Sequence, residues 1–257
     1  MNKRFFSIIH NGNNYEVATV LRERGEELLL LLHGLGCSKE TFRDIWFREE
    51  LTDYSIMSLD FIGFGESTKS NQFSYRMEDQ ATLCAEVVRE ILPKQMHIIA
   101  HSMGGAIGLL LPPDLLNSTL TYANLEGNLI SEDCGIISRK TISVPFQEFR
   151  DELLPDLKAL SMTLGEGRLF LDSALPLGIY KSSDSLVKWS ESGDLLSRFQ
   201  QLPCKKAYFF GEKNSRLDVL KRLNTIGKVM IGKSGHFMMN DNPDEFYSRL
   251  TTFLNVS

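Results

Sequence analysis

The residues Ile98-Ile99-Ala100-His101-Ser102-Met103-Gly104-Gly105 run an apolar strand straight into a serine flanked by small side chains. A serine hydroxyl is a poor nucleophile until it is lifted clear of the sheet, set beside a base and faced by backbone donors that receive a developing oxyanion. A sharp strand-to-helix turn supplies all three. Such a turn is strained and admits only small side chains two residues either side of the nucleophile, here Ala100 and Gly104. Gly105 and Gly108 then let the following helix lie close on the sheet. What the stretch offers is a nucleophilic serine that needs a base.

Of the five histidines, His10 falls in an edge turn and His97 opens a strand, where a solvated or packed ring is the usual outcome. His236 lies in a loop between the last strand and the final helix. In a doubly wound sheet that loop passes over the strand carrying Ser102, so His236 is the expected base.

Three other stretches stand in a telling order around the Ser102 turn. His33-Gly34-Leu35-Gly36 follows one strand, Asp60-Phe61-Ile62-Gly63-Phe64-Gly65-Glu66-Ser67 follows the next, and Gly235-His236-Phe237 comes near the end. Together the four motifs resemble the α/β-hydrolase superfamily, in its serine-nucleophile branch with a helical cap, over nearly the whole chain. The resemblance implies an α/β-hydrolase fold, a mostly parallel eight-stranded sheet with helices on both faces and an inserted helical cap. It also implies an oxyanion hole made by the amides of Leu35 and Met103, and structural places for His33 and His101. The expected reaction is hydrolysis of an ester, thioester or related carbonyl substrate with apolar surface, through a Ser-His-acid triad and an acyl-enzyme. No cofactor or metal is expected. Carbon-carbon bond hydrolysis, peptide release or cofactor-free oxygenation by the same Ser-His pair, or a non-catalytic ligand-binding protein on this fold, are the alternatives.

The acid departs from the common pattern. Most members of the superfamily place it in a turn after the seventh strand, which here reads Gly211-Glu212-Lys213-Asn214, with an amide in the acid's place. Some branches carry it at the end of the sixth strand instead, and Tyr122-Ala123-Asn124-Leu125-Glu126 ends in a glutamate. The resemblance therefore makes Glu126 the expected acid, with Asp218 as the first alternative and Glu212 or a bare Ser-His dyad behind it.

Composition limits the partners. With 257 residues, 42% hydrophobic and 24% charged, the chain suits one soluble α/β domain with a sizeable insertion. A net charge of -5 without a basic run gives no footprint for nucleic acid or a membrane surface, so a small-molecule substrate is the expected partner, and the oligomeric state stays open. Phe5 to Ile9 is too short for a signal-peptide core, and Leu28 to Leu32, the longest apolar run, falls far short of the roughly 18 residues a membrane span needs; a cytoplasmic protein is expected. Cys37, Cys84, Cys134 and Cys204 form no C-x-x-C pair, which argues against a zinc site or a disulfide framework. Cys37 lies beside the oxyanion loop and is a candidate for the pocket wall.

The elements that must position these groups follow from patterning. Phe5–Ile9 and Tyr15–Leu21 flank an Asn-Gly turn and read as an edge hairpin. Leu28–Leu32 reads as a central strand buried on both faces. Ser38 is expected to cap a helix through about Leu51, and Ser74 another whose Met77, Ala81, Cys84, Val88 and Ile91 form one stripe. Tyr54–Asp60, Met96–Ala100, Thr119–Glu126, Lys206–Phe210 and Lys228–Ile231 complete the strands, and Asn242-Pro243 opens the last helix. Residues 1–127 and 202–257 are expected to form the core and 128–201 the cap. Phe146–Leu160 and Ser185–Trp189 read as helical within that cap, with Gly165, Gly167, Pro176 and Gly178 as breaks between them.

Overall fold

In a computed structural model that describes residues 2–164 and 169–255, the leucine run occupies the middle of a single sheet. The strands are β1 Asn2–His10, β2 Asn13–Arg22, β3 Glu27–Leu32, β4 Ser55–Leu59, β5 Gln95–His101, β6 Thr119–Leu125, β7 Lys205–Gly211 and β8 Gly227–Ile231. Their order is β1-β2-β4-β3-β5-β6-β7-β8. β1 and β2 pair antiparallel, as does β2 with β4, and from β4 through β8 the sheet is parallel. The turn between β1 and β2 puts Asn11 and Gly12 at φ 48° and 76°, the left-handed pair that lets a two-residue connection follow the strand twist.

Between strands run α1 Met77–Ile91, α2 Met103–Leu109 and α3 Pro113–Asn117. β6 and β7 are separated by α4 Ile136–Ile142, α5 Phe146–Glu148, α6 Leu154–Leu164, α7 Pro176–Ser192 and α8 Asp194–Gln201. α9 Met238–Asp241 and α10 Pro243–Leu254 close the chain. A π-helical turn at Phe149–Leu153 joins α5 to α6.

The strand period of two explains how one apolar run feeds two cores. Leu28, Leu30 and Leu32 join a cluster with Met96, Ile98, Tyr122, Val87 and Phe199, while Leu29 and Leu31 face Phe42, Ile99, Phe209 and Phe246 on the opposite side. All five leucines are fully buried, each stabilising the fold by about 1.5–3 kcal/mol relative to exposure. Both faces of the sheet are therefore covered, as its parallel strands require.

Three local expectations are corrected. The segment after Ser38 forms two 3-10 turns, Lys39–Phe47 and Glu49–Leu51, with a kink at Phe42, rather than an α-helix. The Lys39 N–H donates to Asp60 Oδ1 and its carbonyl accepts from Ser58 Oγ, so the first turn is tied to the neighbouring strand and its loop. Ser74 does not cap α1, whose N-cap is Arg76; its hydroxyl bonds Asp79 and accepts from the Arg76 N–H in a turn one step earlier. Pro176 and Gly178 begin α7 instead of breaking the pattern, because proline suits the first helical position and Gly178 is where the helix presses on Tyr75. Gly165 and Gly167 lie outside the described residues. Among the described residues no helix is long and apolar enough to cross a membrane.

Candidate active site

Parallel pairing aligns the carboxyl ends of five strands along one edge. Leu32 stands opposite Ala100, Ala100 opposite Asn124, Leu125 opposite Phe209, and Gly211 opposite Ile231. The residues that follow each strand therefore emerge side by side: His33 to Leu35, Ser102, Glu126, Asn214 and, from the loop after β8, His236. The chain turns from β4 to β5 across β3, so Leu35 and Ser102 flank the point where the strand order reverses, the usual place for a ligand of an open parallel sheet.

Ser102 sits at φ 52°, ψ -122°, a conformation that L-residues rarely hold and that costs on the order of 1–3 kcal/mol. Close packing around the turn enforces it. A Cβ on Gly104 would stand 2.4 Å from the Leu32 carbonyl oxygen, and one on Gly105 would stand 2.7 Å from the Gly127 Cα. The turn also leaves backbone donors free: among the described residues, no protein acceptor takes the N–H of Leu35 or of Met103, the first residue of α2.

The histidines divide by environment. His33 accepts the Phe61 N–H on Nε2, which fixes the proton on Nδ1, and that Nδ1–H donates to the Gly34 carbonyl at 2.8 Å. Burial holds its pKa down to about 4, so the ring is a neutral brace for the Leu35 loop. His101 is likewise buried and held well below its ordinary value by desolvation, and its Nε2–H donates to the His236 carbonyl at 3.0 Å. It ties the histidine loop to the elbow. His97 bonds Thr121 and Glu27, and His10 bonds Asp79, both away from the strand-end edge that carries Ser102.

His236 differs. Its side chain is 40% exposed, and Nδ1 lies 2.7 Å from Glu126 Oε2, whose own side chain is 4% exposed. Glu126 leaves β6 at φ 44° and accepts further from the Gly211 N–H at 2.9 Å and from Asn214 Nδ2 at 3.0 and 2.8 Å. Burial pushes the Glu126 pKa upward, yet the hydrogen bond and charge of His236, with the Asn214 and Gly211 donors, outweigh it and hold the carboxyl below its usual range. Asp218 is elsewhere: it is exposed at the start of a 3-10 turn, paired with Lys221 at 2.7 Å. Glu212 also turns away and accepts the Lys233 N–H.

Ser102, His236, Glu126 and Leu35 line one cavity of about 490 Å³. Its wall also includes Cys37, Asn128, Ile137, Leu169, Leu186, Tyr208, Asn214, Leu217 and Phe237, together with Glu132 and Asp133. Glu132 pairs with Arg222, and Asp133 accepts the N–H groups of Leu129 and Ile130. The Cys37 thiol is pushed up to about 12 by burial, so it packs rather than reacts. Among the described residues no cluster of side chains has the makings of a metal site. Sequence reasoning missed Asn214 as a partner of Glu126; the signal was present as an amide where the acid is usual, paired with a glutamate at the end of β6.

Known proteins resemble part of this chain in sequence and nearly all of it in fold. The alpha/beta hydrolase fold family matches residues 27–115. Lipase 1 of Psychrobacter immobilis is 39% identical over 84 residues, covering 32% of this chain and 26% of the lipase. The putative hydrolase LipZ of Mycobacterium tuberculosis is 30% identical over 146 residues, 55% of this chain and 50% of LipZ, so the matched region spans half or less of either relative. Among solved structures, a bromoperoxidase from Bacillus anthracis superposes with a TM-score of 0.80 at 15% identity, covering 99% of this chain and 100% of that one. A thermophilic esterase from Thermogutta terrifontis gives 0.76 at 17% identity, covering 99% and 98%. The family match runs from β3 into α3 and the solved structures share the architecture from end to end, so the chain has the α/β-hydrolase fold.

Proposed function

We propose that the protein is a serine hydrolase that cleaves an ester, thioester or related carbonyl compound with apolar surface. The observation that carries this reading is the 2.7 Å bond from His236 to a buried, ionised Glu126 at the same cavity edge as the strained Ser102. Glu126 accepts the Nδ1–H, which leaves Nε2 with its lone pair toward the cavity as a base. In this mechanism His236 takes the Ser102 proton as Oγ attacks the carbonyl carbon, and the N–H groups of Leu35 and Met103 receive the oxyanion. Each such donor is worth roughly 10²–10³ in rate. Collapse of the intermediate expels the alcohol or thiol, protonated by His236, and water attacks the acyl-enzyme with His236 again as base. Glu126 stays a carboxylate throughout and stabilises the imidazolium. The helices between β6 and β7 serve as the cap, and Ile137, Leu169 and Leu186 give its cavity face the apolar character that suits an acyl chain.

The test is covalent. A fluorophosphonate probe should label the wild type, and Ser102→Ala should abolish both labelling and turnover of nitrophenyl esters while melting like the wild type. Labelling that survives in Ser102→Ala would place the nucleophile elsewhere.

A further inference from the structure

Asn214 occupies the turn where the superfamily usually holds its acid, and its contacts are specific. Its Nδ2 reaches both Glu126 oxygens, at 3.0 and 2.8 Å; the Gly211 N–H takes Oε1 at 2.9 Å and His236 Nδ1 takes Oε2 at 2.7 Å. The carboxylate is thus held from three directions by a backbone amide, a side-chain amide and the histidine. Only the side-chain amide touches both oxygens, so it fixes the rotation of the carboxylate plane that the backbone amide alone leaves open. We infer that Asn214 is a positioning residue that acts through Glu126, orienting the carboxylate toward His236 while leaving one negative charge at this strand edge.

The amide's neutrality matters as much as its protons. An aspartate at 214 would set a second carboxylate about 3 Å from the first, and two like charges at that spacing resist joint ionisation. The other titratable groups that face Glu126 are His236 from the loop after β8, Tyr208 on β7 and Asp133 from the turn after β6. No lysine or arginine is paired with Glu126 among the described residues, so an added negative charge would go uncompensated and would favour the imidazolium form of His236. Glutamate at the end of β6 and asparagine after β7 therefore work as a matched pair: the first carries the charge, and the second donates to it without adding another.

This inference rests on the serine-hydrolase reading, and the experiment separates the two. The rate of fluorophosphonate labelling is followed from pH 5 to 9 for wild type, Ser102→Ala, Asn214→Ala and Asn214→Asp, with thermal melts on each. Asn214→Ala should label roughly ten- to a hundredfold more slowly at pH 7, the loss expected when a carboxylate loses a well-placed donor. Asn214→Asp, which preserves shape, should move the acidic limb of the profile upward by about one pH unit or more. If Asn214→Ala does not fold, the aspartate variant decides alone. Labelling of the wild type that is lost in Ser102→Ala, combined with a wild-type profile in Asn214→Asp, overturns the positioning role and leaves the hydrolase intact. A wild type that takes no label at any pH overturns both.

Discussion

The carboxyl edge of the sheet and the helices between β6 and β7 face each other across one cavity, yet different forces hold them. Along the edge each reactive group follows a strand whose neighbours fix it by a ladder of backbone bonds, above five fully buried leucines. The inserted helices meet the core through a few defined bonds: Phe170 N–H to the Gly36 carbonyl, Leu175 N–H to Gly63, and Met77 N–H to Ser185 Oγ. Ser182 Oγ to the Tyr75 carbonyl, Gln200 Nε2 to the Arg222 carbonyl and the Arg222–Glu132 pair add to these, with apolar packing between them, and the end of α6 exposes Leu160 and Met162 to solvent. Apolar packing is non-directional, so side chains there can change without moving the edge. On the proposed reading, the chemistry is built where geometry is over-determined, and the shape of the substrate is read where it is not.

Substitutions test that division. The largest effect belongs to the acid: Glu126→Gln should lower kcat by roughly 10²–10⁴ with little change in KM, since the amide keeps the shape but not the charge that stabilises imidazolium. Asp218→Asn, on the surface with Lys221, should leave kcat as it is. Steady-state kinetics of the two variants decide this, and the reverse pattern would remove Glu126 from the role.

Next in size is an acid sensitivity of the edge. His33 stays neutral in the fold from its ordinary value of 6.5 down to about 4, whereas the unfolded chain takes up a proton across that window. Stability therefore falls as pH falls from 6.5 to 4, by on the order of 3 kcal/mol from this ring, with His101 adding in the same direction. Glu126, held below its usual range, contributes stability that is lost at still lower pH as it protonates. Asp133, pushed up to about 6 by burial, works in the opposite sense over part of this range, so urea midpoints at pH 7.5 and 4.5 are compared in Asp133→Asn, and equal midpoints there would contradict the loss.

The smallest effect belongs to the insertion. Ile137→Ala should raise KM for long acyl esters by roughly tenfold while kcat on an acetate ester stays within about twofold. A loss of kcat on the short ester would mean that α4 holds the reactive groups as well as the substrate, and the division between the two regions would fall.

The same division governs what the sequence discloses. Leu28–Leu32 and the Asn11-Gly12 turn are legible because strand burial and left-handed turns are local demands on residue type. The 3-10 turns at Lys39–Leu51 are not legible in this way, since the segment is anchored by contacts such as those of Asp60 and Ser58 with the Lys39 backbone, between positions 19 to 21 residues apart. Pro176 and Gly178 mislead for a related reason: both are read as breakers until the Tyr75 ring beneath Gly178 is known. At the candidate site, Ser102 and His236 stand out by motif, whereas the contact between Asn214 and Glu126 joins positions 88 residues apart and shows only as a local irregularity.

The left-handed backbone at Ser102 and Glu126 also bears on how the chain tolerates change. Two non-glycine residues held at positive φ are a standing debit of a few kcal/mol against a folded state whose whole margin is about 5–15. The fully buried strand core offsets that cost, so it forms the reserve that keeps the reactive turns in place. A cavity opened at Leu30 or Ile98, remote from any substrate, draws on the same reserve, and mutational robustness in this protein is set in its core as much as at its catalytic edge.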